Sequence, residues 1–147
     1  MSPIEKISLK KREVAVVVPY LERINTRFFF LQERDDNAPI LPGWFGLFGG
    51  GVEQGESPEV ALKREIQEEL SVSPALTFFN RYEFIHAVNH VFITEVAESF
   101  EADIHINEGK GGRFFSSAEV FSEPKIADSN KLILQQVDKT LRGEFTW

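Results

Sequence analysis

The chain has 147 residues, no cysteine, 42% hydrophobic and 27% charged residues, which suits one globular domain over 1–147 that buries about two-thirds of its unfolded surface. A net charge of −7 at pH 7 leaves no basic stripe for a nucleic-acid polymer, and the lack of cysteine excludes a disulfide framework or a thiolate zinc site. No apolar run approaches a membrane span and the basic lead Met1–Arg12 lacks a signal-peptide core, so a cytoplasmic chain without a membrane partner is expected.

Glu13–Tyr20 (EVAVVVPY) and Arg27–Gln32 (RFFFLQ) read as strands, apolar on both faces and therefore covered on both sides of a sheet. Leu21–Thr26 reads as the polar connection between them, and Glu33–Pro42 as a loop by its Asp, Asn and Pro content. Trp44–Phe48 is expected to run extended into a glycine turn at Gly49, Gly50 and Gly51. Ser57 as N-cap and Pro58 at the first helical position predict a helix continuing to Leu70, with Leu62, Ile66 and Leu70 as its apolar stripe.

Pro74 ends that region. Leu76–Ala87 and His90–Glu98 are expected to form a hairpin turning near Val88-Asn89. Asn107–Arg113 (NEGKGGR) reads as a glycine-rich loop, Ser117 as the cap of a short helix through Phe121, and Asn130–Arg142 as a second long helix burying Leu134, Val137 and Leu141. Strands, helix, strands, helix suit a mixed sheet between helical layers. Fourteen phenylalanines imply an aromatic core, and Tyr82, Phe84 and Phe92 are assigned to it rather than to base stacking. His86, His90 and His105 lack soft-ligand neighbours and read as ordinary strand or turn histidines.

The chemistry is concentrated in Gly49–Val72 (GGGVEQGESPEVALKREIQEELSV). Glu65, Glu68 and Glu69 recur at i, i+3 and i+4, so they are expected to converge on the face adjoining the apolar stripe. Like charges at this spacing repel, and hard divalent cations take such oxygen clusters as ligands. By that argument Glu68→Gln or Glu69→Gln should not harm the metal-free fold. The alternative is a solvated acidic face.

Taken whole, Gly50, five residues, Glu56, seven residues, then Arg64-Glu65-Ile66-Gln67-Glu68-Glu69-Leu70-Ser71-Val72 resembles the signature of the Nudix hydrolases. Two positions depart from it: Ser71 replaces the closing glycine, and Phe48 stands in place of the proline before the paired glycines. The resemblance implies a Nudix-type α/β/α sandwich and a pyrophosphohydrolase using Mg²⁺ or Mn²⁺ on a small nucleotide, a nucleoside diphosphate linked to another group. It implies Glu56, Glu65, Glu68 and Glu69 as metal ligands, with Arg64 holding one glutamate in place. The glycines would approach the substrate. The loop NEGKGGRFFS is similar to that of MutT-type members, which makes Glu108 a candidate ligand or base. Arg34 and Asn130 fall where those members carry a phosphate-contacting arginine and a base-reading asparagine; their alternatives are a salt bridge to Asp35 or Asp36 and a helix cap. A canonical or oxidised nucleoside triphosphate is the first substrate expectation, with nucleotide-sugars or dinucleoside polyphosphates next. An isomerase or a non-catalytic binding module on the same fold is the other class. Homodimers are common among such relatives.

Overall fold

The computed structural model describes residues 11–105 and 110–143. The candidate Glu108 and its two neighbours in the loop, Asn107 and Gly109, lie outside the described residues. Seven strands form one mixed sheet: β1 (Arg12–Arg23), β2 (Thr26–Glu33), β3 (Phe45–Gly46), β4 (Phe48–Gly51), β5 (Thr77–Glu83), β6 (Ala87–Glu95) and β7 (Gly111–Ser116). Among the described residues four helices accompany them: α1 (Pro58–Leu70), α2 (Phe100–Asp103), α3 (Ser117–Ser122) and α4 (Asp128–Leu141).

The first connection is tighter than the sequence suggests. β1 runs on to Arg23 and turns through Ile24 and Asn25, because Asn25 takes a positive φ of 66° that few other side chains tolerate. The hairpin then splays. β1 pairs with β2 only over residues 20–23, whereas its earlier half, residues 14–17, pairs antiparallel with β4. β3 pairs with the far end of β2 at Gln32 and Glu33. The β3–β4 segment thus fills the fork between the two long strands. β6 lies parallel to β1 on its other side, and β7 closes the outer edge of β2.

The alternation of side chains separates two cores. Ala15, Val17, Phe30, Phe48 and Phe92 pack beneath Leu62, Ile66 and Leu70 of α1. Val18, Phe29, Leu31, Val91 and Phe115 pack beneath Ile133, Leu134 and Val137 of α4, with Val120 of α3. Both faces of the sheet are therefore covered, and the architecture is the expected α/β/α sandwich. The phenylalanines do form the core: Phe30 stacks on Phe48 at 5.8 Å and meets Phe100 and Phe114 edge-on at 5.3 and 5.0 Å. Tyr82 and Phe92 are buried in it as expected.

Three local expectations are corrected. The β5–β6 turn falls at Phe84–His86, closed by the Phe84 N–H on the Ala87 carbonyl, not at Val88-Asn89. His86 is in that turn, while His90 is inside β6 and 3.1 Å from Glu13. Ser116, not Ser117, caps α3: its hydroxyl accepts from the Glu119 N–H and the Glu119 carboxylate accepts from its own N–H, a reciprocal pair that Ser117 could not make. Arg113 belongs to β7 rather than to a loop, since Gly111–Ser116 find a full row of partners on β2.

Candidate active site

The glycines expected to turn form strand β4 instead, and the turn follows at Glu53–Glu56. Bare backbone is needed there for packing. A Cβ on Gly49 would lie 2.1 Å from the Ala15 carbonyl oxygen, and one on Gly50 would lie 2.6 Å from Cδ of Glu65. β4 can therefore sit against β1 on one edge and accept the carboxylates of α1 on its face.

Helix α1 starts as predicted, with the Ser57 hydroxyl accepting from the Val60 N–H and Pro58 in the first turn. It ends at Ser71, whose φ of 59° and ψ of 31° place it in the left-handed region where glycine is favoured. Between these ends Arg64 gathers the acidic residues. Its Nε and Nη2 donate to the two oxygens of Glu56 at 3.1 and 3.0 Å, its Nη1 donates to Glu65 Oε1 at 2.9 Å, and Glu68 Oε2 is 3.8 Å away. Nη2 also reaches the Gly51 carbonyl at 3.4 Å. Bidentate pairing of this kind fixes direction as well as charge. It holds the Glu56 carboxyl below the ordinary glutamate range, helped by the Glu53 N–H at 2.9 Å. The same bonds, led by that to Glu56, keep the Arg64 guanidinium charged even more firmly than an ordinary arginine.

Glu69 behaves differently from its neighbours, and the expected convergence of Glu65, Glu68 and Glu69 is corrected here. On a helical wheel Glu69 falls only about 20° from Leu62, so it enters the interior and is 2% exposed, against 57% for the side chain of Glu68. The Gly49 N–H donates to its Oε1 at 3.2 Å and the Gln32 amide to its Oε2 at 3.3 Å. Gln32 was not singled out by the sequence, where it reads only as the end of a strand. Among the described residues, no three His, Asp or Glu side chains gather closely enough to hold a metal ion by themselves. The donor chemistry still fits a hard divalent cation. Glu65, Glu68 and Glu69 offer oxygen only, each carboxylate oxygen has a second lone pair, and such ions usually complete their shell with water and substrate phosphate.

The remaining candidates divide. Asn130 is in the first turn of α4 and meets β3: its Nδ2 lies 4.0 Å from where a Cβ of Gly46 would be. It does not cap α4, whose N-cap is Ala127 with no side-chain bond. Arg34 does not make the salt bridge to Asp35 or Asp36, the alternative to phosphate contact. Its Nε donates to the Ile40 carbonyl at 2.8 Å, and Asp36 pairs instead with Lys110 at 2.6 Å. A cleft of about 510 Å³ is elsewhere, beside the β1–β2 turn and the Arg27–Asp138 ion pair; it shares no residue with the Arg64 cluster.

A mixed sheet between helices, with a carboxylate helix seated on a glycine strand and locked by one arginine, defines the class to which the comparisons also lead. The NUDIX domain family model matches residues 11–137, and the chain belongs to the NUDIX family. Over 73 residues it is 38% identical to the nucleoside triphosphatase NudI of Escherichia coli O139:H28, half of each chain. The chain spans about half the length, or less, of the curated relatives it matches. Among solved structures, MutT from work on Aliivibrio salmonicida and Vibrio cholerae is similar at a TM-score of 0.70 and 21% identity, covering 89% of this chain and 99% of that one. The NUDIX domain of Shewanella oneidensis NrtR, complexed with ADP ribose, gives a TM-score of 0.71 at 17% identity over 96% and 99%. These likenesses concern the fold.

Proposed function

We propose that the chain is a divalent-metal-dependent pyrophosphohydrolase acting on nucleoside triphosphates. The observation that carries this is the seating of the α1 carboxylates on β4, with Glu65 against Gly50, Glu69 on the Gly49 N–H and Arg64 binding Glu56 and Glu65. Similarity to the nucleoside triphosphatase NudI supports the substrate class.

Glu65, Glu68 and Glu69, with Glu56 beside them, would hold Mg²⁺ or Mn²⁺. When bound, such an ion supplies charge neutralisation on the phosphates and lowers the pKa of water. Arg64 keeps Glu56 ionised and holds both Glu56 and Glu65 in place, so little reorganisation is needed when substrate arrives. Gln32 and the Gly49 N–H set the direction of Glu69. Glu68, the most exposed of the helix carboxylates in the cluster, takes the proton of the attacking water; Glu108 is the other candidate for that role. The water oxygen bonds to phosphorus, the bridging P–O bond breaks, and the leaving phosphate or diphosphate departs with the electron pair. Arg34 is assigned to phosphate contact and Asn130 to the base.

The test is a panel of canonical and oxidised nucleoside triphosphates, nucleotide-sugars and dinucleoside polyphosphates with Mg²⁺, its products separated by ion exchange. Triphosphates should give monophosphate and diphosphate. Turnover of nucleotide-sugars alone would replace the substrate assignment, and binding without any turnover would establish a binding module.

A further inference from the structure

Arg113 stands apart from the other features of this end of the sheet. It projects from β7 on the same side as Phe115, two residues on, and its guanidinium carbon lies 3.9 Å from the Phe115 ring centroid and 5.4 Å from that of Phe45. The two rings meet edge-on at 4.8 Å. Arg113 is exposed, and among the described residues no carboxylate lies within ion-pairing distance of it. A cation held over two rings and open to solvent keeps hydrogen-bond donors available to whatever arrives there.

What arrives can be read from the neighbours. Phe45 is anchored by its N–H on the Lys125 carbonyl at 2.9 Å and by a bridge to Ile126, just ahead of α4. The next residue, Gly46, has no side chain, and the Asn130 amide faces the space this leaves. Arg113 from β7 and Asn130 from α4 therefore reach two consecutive residues of β3. An amide can donate and accept, but a guanidinium can only donate.

We propose that Arg113 is a specificity-determining residue for the nucleobase, favouring bases that present a carbonyl oxygen over those presenting an amino group. This rests on reading the chain as a nucleotide hydrolase with its base beside Asn130. The exposed face of the guanidinium also offers a platform on which a base can stack.

The experiment compares kcat/KM for GTP against ATP and for UTP against CTP, two pairs that each exchange a carbonyl for an amino group. Binding of the four monophosphates is measured by calorimetry in parallel, together with melting temperature. In the wild type the carbonyl member of each pair is preferred. Arg113→Gln, whose amide both donates and accepts, brings both ratios toward unity by about tenfold, and Arg113→Lys retains part of the preference. Unchanged ratios in Arg113→Gln, with or without a lowered melting temperature, overturn the proposal and leave Arg113 as a cover for Phe115. Wild-type preference for amino bases overturns it as well. Should the wild type hydrolyse no nucleotide, the hydrolase reading falls, and the monophosphate binding ratios alone decide on Arg113.

Discussion

At the scale of single residues, the acidic cluster contains two kinds of glutamate, and they respond differently to the same substitution. Glu68 is exposed and lies 3.8 Å from Arg64, so Glu68→Gln should change the free energy of unfolding by no more than about 0.5 kcal/mol while removing most turnover. Glu69 accepts from two donors in the interior. In Glu69→Gln the bond from the Gly49 N–H loses its charge and the Gln32 amide must turn over to accept from the new amide nitrogen, a loss of about 1 kcal/mol that thermal unfolding should show. This reverses the expectation that neutralising either carboxylate spares the metal-free fold. Glu56 adds a pH dependence. Its carboxyl is held low by Arg64, so its contribution to stability is full above the ordinary glutamate pKa of about 4.3 and is lost as pH falls through its lower folded value. Melting temperatures of wild type and Glu56→Gln should differ most at neutral pH and converge as the solution is acidified toward that value.

At the scale of elements, helix α1 was readable because its signals are local: Ser57, Pro58 and the stripe Leu62, Ile66, Leu70 all act within one helix. The positive φ at Ser71 was readable for the same reason. Relieving it with Ser71→Gly should stabilise the chain by about 1 kcal/mol, measurable by urea unfolding. The glycine strand was not readable. Gly49, Gly50 and Gly51 look like a turn until β1 is known to run beside them, and their role depends on Ala15 and Glu65, which are far away in sequence. Gly50→Ala would press a methyl on the flexible end of Glu65, so activity should fall at least about tenfold, on the order of 1.4 kcal/mol in the barrier, with the fold kept. Gly49→Ala meets backbone instead, and soluble folded protein is not expected. Gln32 was invisible for a related reason: nothing in RFFFLQ tells which strand residue ends beneath the buried Glu69.

At the scale of the whole molecule, both faces of the sheet were foreseen from the continuous apolar strands, whereas the fork that admits β3 and β4 was not, since it arises from divergence of two strands rather than from any residue within them. The α4 face carries a further device. Arg27, 8% exposed, donates to the Asp138 carboxylate at 2.6 Å and to its carbonyl at 3.1 Å, and Ser117 and Arg142 complete the shell of that carboxylate. Burial alone would lower the pKa of Arg27, but its bonds to Glu22 and Asp138 raise it above the ordinary value. Asp138→Ala would leave the Arg27 guanidinium only Glu22 and the residue-138 carbonyl as partners, at a cost of about 2–3 kcal/mol, visible in the unfolding midpoint. The pair spans 111 residues, and this bears on how the chain matures. The core beneath α1 draws its buried residues from positions 15 to 92, whereas the other needs residues up to 137. As the chain leaves the ribosome, the first core can close while the hairpin still offers Arg27 to water. The second face cannot be covered until α4, the last of the described elements, has followed.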